Sequence, residues 1–353
     1  MDALRIFAVR QMSGVTAIEP ASADASFRSY WRISVADNAR PSTPAADGMA
    51  TARETAARTY VVMDAPPDKE DIGPWLDVGS RLRSAGLHTP DVLAVDRANG
   101  FVLMEDLGTR LYLPELTEST ADVLYADALD ALLKMQTHAD AADLPHFDEA
   151  FLAQELELMP EWFLRRHLGQ SIDCDAWDEI EVAFRTLITS ARAQPQSFMH
   201  RDYHSRNLLV VDANNPGVID FQGAMIGPIT YDLASLLRDC YIAWDAERVE
   251  GWLESHRQRL LHAHLIDTHV DAARFRRWFD LAGLQRHLKV LGIFCRLWYR
   301  DGKPHYLDDL PLTWRYVISV ARRYAELNPL ADLLERALGD RDIRQPRAET
   351  VAQ

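Results

Sequence analysis

The densest polar stretch in an otherwise apolar context is Phe198-Met199-His200-Arg201-Asp202-Tyr203-His204-Ser205-Arg206-Asn207-Leu208-Leu209-Val210-Val211. Such a cluster immediately ahead of an apolar run calls for a chemical reason. One is metal-assisted hydrolysis, because His200, Asp202 and His204 alternate and an extended strand would turn all three to one side as ligands. That chemistry needs further His or Asp ligands, and the chain offers no second cluster of them. The other reading adds Asn207, five residues after Asp202, and Asp220, thirteen residues after Asn207 at the end of another apolar run. Asp202 would take the proton of an acceptor hydroxyl, while Asn207 and Asp220 hold Mg²⁺ against phosphate oxygens. Two motifs in matching order and separation make phosphoryl transfer the stronger reading.

The elements that must position these residues fall into two kinds. Residues 16–18, 27–35, 59–63, 92–95 and 101–104 are short β-branched and aromatic runs, and predict an antiparallel sheet. A helix over 74–85, stopped by Gly86, interrupts them, and the polar, Pro-containing stretch 36–58 reads as a loop with a short helix at 50–58. Beyond Gly108 helical spacing takes over in stripes at 123–135, 151–168, 177–193, 233–244, 284–299 and 312–327. The exception is a hairpin, with runs at 208–211 and 217–219 flanking the turn Asp212-Ala213-Asn214-Asn215-Pro216. The expected division is therefore 1–108, an N-terminal lobe, and 109–353, a helical lobe carrying the chemistry. Trp244, Trp298 and Tyr299 lie on the stripes and read as core.

The chain has 353 residues, enough for about two domains. Apolar residues are 48% and charged residues 26%, which excludes disordered and fibrous classes. The net charge of −15 repels nucleic acid and anionic lipid, so any phosphate site must be made locally. No apolar run approaches the ~18 residues of a membrane span, and Arg5 and Arg10 interrupt the first short apolar stretch. We expect a cytoplasmic, monomeric protein with no nucleic-acid or membrane partner. Cys174, Cys240 and Cys295 show no paired spacing and read as reduced core residues.

His200-Arg201-Asp202 with Asn207, followed by Ile219-Asp220-Phe221-Gln222, resembles the aminoglycoside phosphotransferase and choline kinase branch of the protein-kinase-like superfamily, with His204 as the second His of an H-x-D-x-H. Within it the chain is most similar to the anomeric N-acetylmuramate/N-acetylglucosamine kinases of bacterial cell-wall recycling. The stretches that carry this likeness are Asp24-Ala25-Ser26-Phe27-Arg28-Ser29-Tyr30-Trp31-Arg32, Tyr60-Val61-Val62-Met63-Asp64-Ala65-Pro66-Pro67, 200–208 and Tyr231-Asp232-Leu233-Ala234-Ser235-Leu236-Leu237-Arg238-Asp239-Cys240-Tyr241. The resemblance implies an α+β, two-lobed kinase-like fold that uses ATP and Mg²⁺. It also implies an amino sugar as substrate and transfer to its anomeric hydroxyl, giving a sugar 1-phosphate. The sugar comes from the likeness alone.

By the same resemblance, residues 23–29 form the lid over the nucleotide phosphates, with Ser26, Phe27 and Arg28 as contacts. Backbone groups of Glu105 and Leu107 would meet adenine. Two features depart from the pattern: the lid lacks Gly, which leaves an ordinary tight turn as the alternative, and the strand at 59–63 lacks the expected Lys. Arg28, Arg32 or Lys69 are candidates for that charge. His204, Arg206, Arg238, Asp239, Arg296 and Arg300 are candidates for a sugar pocket that must meet a lactyl carboxylate; each Arg has a helix-bracing or surface alternative. Asp232 would cap its helix or brace the catalytic loop. Rival functions are a kinase for an aminoglycoside, choline or homoserine, and a nucleotide-binding regulator without turnover.

Overall fold

The computed structural model describes residues 2–23, 27–36 and 58–347. Ser26 and nearly all of the expected 36–58 loop, with its short helix, lie outside the described residues. The chain begins with α1 (Asp2–Gln11), an element the sequence reading did not include. Five strands follow: β1 (Val15–Ala23), β2 (Ser29–Val35), β3 (Arg58–Asp64), β4 (Val92–Asp96) and β5 (Phe101–Glu105). They pair antiparallel in the order β1-β2-β3-β5-β4, the expected sheet. Alternation gives the sheet two buried faces. Ile33, Val62, Phe101 and Leu103 pack on Leu4, Phe7 and Ala8 of α1, while Met63, Val102 and Met104 face α2 (Gly73–Ser84), where the helix at 74–85 was expected.

The remainder is mainly helical. The short α3 (Tyr112–Glu115) leads into α4 (Ala121–His138). The expected single helix over 151–168 is two elements, α5 (Glu149–Leu156) and a π-helical segment Met159–His167, divided at Pro160, which has no N–H to give to a continuous α-helix. After α6 (Cys174–Arg192) come β6 (Gln196–Met199), β7 (Leu208–Leu209), β8 (Gly217–Val218) and β9 (Met225–Pro228), in which β6 pairs β9 and the expected hairpin is β7–β8. Last are α7 (Tyr231–Leu237), α8 (Ala246–His262), α9 (Ala272–Tyr299), α10 (Leu310–Ala321) and α11 (Asn328–Leu338).

The stripe at 233–244 predicted a helix through Trp244, but α7 stops at Leu237, where Arg238 leaves helical geometry with φ −124° and ψ 53°. Helix α9 is the centre of the lobe. Its buried residues run without a break from Trp278 to Gly292, so the ionic side chains of that stretch must find partners inside. Trp244, Trp298 and Tyr299 pack against the cores as expected, and of the three cysteines Cys240 and Cys295 are buried, but Cys174, placed in the core by the sequence reading, is exposed at the start of α6. Among the described residues no helix is long and apolar enough to cross a membrane.

Candidate active site

Between the sheet and the helical lobe lies a cleft of about 420 Å³. Tyr30, Val61, Met104, Leu209 and Ile219 give it apolar walls, and Glu105 to Gly108, Arg206, Asn207 and Asp220 complete the lining. Such a space suits a flat, mostly apolar ring that carries an anionic tail.

The segment joining the lobes is tightly tied. Arg32 Nε and Nη2 donate to Asp106 at 2.6 and 3.0 Å, and Nη2 also reaches the Gly108 carbonyl at 3.2 Å. Arg32 thus lines the cleft as a clamp on the linker, with its guanidinium committed there. Of the Glu105 backbone groups, the N–H donates to the Asp91 carbonyl at 2.8 Å. The Leu107 peptide remains where the resemblance put it, on the cleft wall. Beyond the linker, Leu111 bridges Leu209, and the Val210 N–H donates to the Arg110 carbonyl at 2.7 Å.

The catalytic loop follows β6 and is held from below. Asp232, only 1% exposed, accepts from the N–H groups of His200 and Arg201 at 2.6 and 2.9 Å. Of the two roles expected for it, this is the loop brace. Burial pushes its carboxyl up to about 7, against the pull of those two donors. The brace holds Arg201 in the left-handed region at φ 76°, a conformation that costs about 1–2 kcal/mol in a side-chain-bearing residue. His200, held neutral by burial, donates from Nε2 to the Ile219 carbonyl at 3.1 Å and accepts the Asp202 N–H on Nδ1 at 3.3 Å. One ring therefore joins the loop to the strand end that carries Asp220.

Asn207 joins the Asp202 backbone to the Asp220 carboxylate. Asn207 Nδ2 donates to the Asp202 carbonyl at 2.9 Å and to Asp220 Oδ2 at 3.3 Å. Asp220, at φ 62°, has Gln222 Nε2 on Oδ1 at 2.8 Å, and next to it Phe221 is fully buried against Trp75 of α2, ring centroids 5.3 Å apart. Gly79 of α2 permits this approach, since a Cβ there would sit 3.0 Å from Phe221. The Asn207 amide oxygen and the Asp220 carboxylate form a set of hard oxygen donors, which suits Mg²⁺. Among the described residues no group of three or more His, Cys, Asp or Glu could hold a metal, so the His200–Asp202–His204 ligand reading fails.

No hydrogen bond from the described residues engages the Asp202 carboxylate. Burial opposes its ionisation, but Lys289, His204, Arg286 and Arg201 outweigh burial and hold it down to about 2. Two of those cations, Lys289 and Arg286 on α9, were not singled out in the sequence. Lys289 Nζ donates to Tyr231 Oη at 2.9 Å and lies 3.4 Å from Glu155, which also takes Arg201 Nη2 at 2.8 Å. Their positions on a fully buried helix read only as core, and the single available signal was ionic residues where an apolar helix should have none.

The expected sugar-pocket residues divide. His204 is buried on the loop, edge-on to Tyr241, and Arg206 stacks over the same Tyr241 ring at 3.5 Å with Asp309 at 3.6 Å. Arg206 lines the cleft. Asp239 does not serve as an open pocket wall: its carboxylate accepts from the Ser205 N–H at 2.9 Å, Ser205 Oγ at 2.5 Å and the Tyr241 N–H at 3.1 Å. That bracing also explains why α7 stops. Arg238 is buried against Asp280, with its guanidinium over Phe279 at 4.4 Å, and braces α7 on α9. Arg296 and Arg300 lie about 10 and 16 Å along α9 from Lys289, and Arg300 pairs with Asp301 at 2.7 Å. Phe27 is exposed, with Lys69 Nζ 5.1 Å from its ring.

Three comparisons with known proteins agree with this geometry. Residues 17–275 match the family described as the phosphotransferase enzyme family. The chain is similar to an N-acetylmuramate/N-acetylglucosamine kinase of Pseudomonas putida, 42% identical over 318 residues that cover 89% of this chain and 86% of the relative. A protein of the same name from Neisseria meningitidis is 37% identical over 328 residues, covering 92% and 91%. Among solved structures, the ADP-bound aminoglycoside phosphotransferase APH(2'')-Ib shares the fold with TM-score 0.57 at 15% identity, covering 89% of this chain and 97% of that one. The choline kinase LicA of Streptococcus pneumoniae does so with TM-score 0.55 at 12% identity, covering 90% and 100%. With a family match over most of its length and a cleft lined by Asn207 and Asp220, the chain belongs to the phosphotransferase enzyme family.

Proposed function

We propose that the protein is an ATP-dependent kinase that phosphorylates the anomeric hydroxyl of N-acetylmuramate and N-acetylglucosamine, giving sugar 1-phosphates for peptidoglycan recycling. The observation that carries the chemistry is Asn207, which lines the cleft with Asp220, bonds it and also ties down the Asp202 carbonyl, and the sugar rests on relatives of 37–42% identity that carry that name. In this reading residues 1–108 form the nucleotide lobe and 109–353 the catalytic and substrate lobe, working as a cytoplasmic monomer. The adenine lies between Val61 and Met104 on one side and Leu209 and Ile219 on the other, with the Leu107 peptide at its edge.

Asp202 aligns the acceptor hydroxyl and takes its proton as the bond to phosphorus forms. A carboxylate held near 2 is a weak base, so the proton moves late and alignment carries much of the effect. Asn207 and Asp220 are placed to hold Mg²⁺, which when bound offsets the charge of the phosphate oxygens. Arg206, propped on Tyr241 and lining the cleft, is the expected cation offered to the lactyl carboxylate of N-acetylmuramate.

Phosphorus NMR of a reaction with N-acetylmuramate and Mg·ATP tests this reading. A new phosphomonoester coupled to the anomeric proton is expected. Phosphate at another carbon, or transfer to aminoglycosides or choline with none to N-acetylhexosamines, would reject it.

A further inference from the structure

At the cleft strand β3 presents Val61, with Val62 and Met63 buried in the cores, and its one cation, Arg58, is exposed at the first position of the strand. An acidic protein that receives a polyanion must neutralise it from somewhere else. Of the nearby cations, Arg32 is held by Asp106 on the linker and Lys289 by Glu155, and neither touches a residue expected to hold metal. Arg28 differs. It is 6% exposed, its Nη2 lies 3.5 Å from Asp220 Oδ1 and its Nε 3.6 Å from Glu70 Oε1. Phe27 and Arg28, which lead into β2, thus dock side by side on Lys69 and Glu70, ahead of α2.

We propose that Arg28, anchored by Glu70, is the residue that neutralises the nucleotide's phosphates, and that in the nucleotide-free protein it holds Asp220 until a metal–nucleotide takes its place. The inference rests on the kinase reading above. It follows from an exchange of partners. Without nucleotide, Asp220 faces a guanidinium; with a divalent cation on Asp220, that guanidinium is displaced toward the oxygens the cation brings, and Glu70 keeps it from leaving the site. Every charge remains paired before and after, so the polyanion enters without stranding a buried cation. Arg28 is therefore a competitor of the bare metal and a partner of the metal–nucleotide.

Those two roles give opposite signs, which a merely structural role would not. In Arg28→Ala, Mn²⁺ alone should bind more tightly than in wild type, read by electron paramagnetic resonance of free Mn²⁺. ADP and ATP with Mg²⁺ should bind about tenfold or more weakly by calorimetry, the scale of one charge-assisted contact. Arg28→Lys retains the charge without the planar fork, so it should recover part of the nucleotide affinity and guards against a folding defect in the Ala variant. Glu70→Gln should weaken nucleotide binding in the same direction. Nucleotide affinity in Arg28→Ala within about twofold of wild type, or Mn²⁺ binding that is unchanged or weaker, would overturn the assignment while leaving the kinase reading intact. A wild-type protein that binds no adenine nucleotide would overturn both.

Discussion

Replacing Asp232 by Asn tests how the catalytic loop is held, because the change keeps size and removes one acceptor. The carboxylate serves two buried N–H groups, those of His200 and Arg201. An Asn side chain accepts only one and points its own NH₂ at the other. Leaving that donor unsatisfied costs about 1–3 kcal/mol, and the surviving bond loses its charge assistance, about 1 kcal/mol more. The expected destabilisation in urea is therefore about 2–4 kcal/mol. Arg201, at φ 76°, then has reason to relax, and Asp202 moves with it. A displacement of about 1 Å costs about 10²-fold in turnover, so kcat should fall by that order. Nucleotide affinity should stay within about threefold, since the Asn207–Asp220 contact does not involve Asp232. Stopped-flow kinetics, equilibrium unfolding and nucleotide titration on the same preparation give all three values. If Asp232→Asn unfolds at wild-type urea and turns over normally, the loop is held by something else and the account of Arg201 is wrong.

Three more outcomes can be checked. Asp202→Asn should keep the fold and nucleotide affinity while turnover drops by at least about 10²-fold, and because the wild-type carboxyl is held near 2, the pH–rate profile should show no Asp202 inflection between pH 5 and 9. The sign for stability is that Asp202, depressed from 3.8 to about 2, stabilises the fold above its unfolded value, a contribution lost only as pH falls through about 2; acid titration of unfolding would show it. Gly79→Ala gains up to about 1 kcal/mol of helix propensity but presses a Cβ onto Phe221, an overpacking cost of about 1–3 kcal/mol, so thermal melting should show a net loss and nucleotide titration a weaker site. Lys289→Met removes one of the two cations beside buried Glu155 and leaves it Arg201 at 2.8 Å, so unfolding in urea should show a loss below the about 3–5 kcal/mol of a stranded buried charge.

What the sequence reveals here follows the range of the interactions. Asp202, Asn207 and Asp220 are legible because their spacing on one loop and one hairpin is itself the geometry, and β7–β8 closes that hairpin over a turn of typical composition. The sheet is legible for the same reason, from five short runs. Helix α1 leaves little trace in the sequence because its buried set is only Leu4, Phe7 and Ala8, too short a stripe to stand out beside Arg5 and Arg10. Helix α7 was drawn too long because the periodicity of 233–244 continues past the point where Asp239 leaves the helix to hold Ser205, a contact 34 residues away that no local pattern records. Arg238 and Asp239 looked available for a ligand for the same reason: their partners come from α9 and the catalytic loop. The polar groups under Asp202 are the extreme case, since Lys289 and Glu155 are 134 residues apart.

The clamp of Arg32 on the linker also sets how the two halves of the molecule can rock. Its grip on both Asp106 and the Gly108 carbonyl fuses that strap to the sheet, while Arg110 and Leu111 are stitched to the opposite wall through Val210 and Leu209. Thr109 is left between the two sets of stitches. Bending between the two sets of stitches thus falls on one short stretch of backbone beside the ring-binding end, while Phe221 on Trp75 and the Val218 N–H on the His88 carbonyl at 2.8 Å fasten the lobes near Asp220.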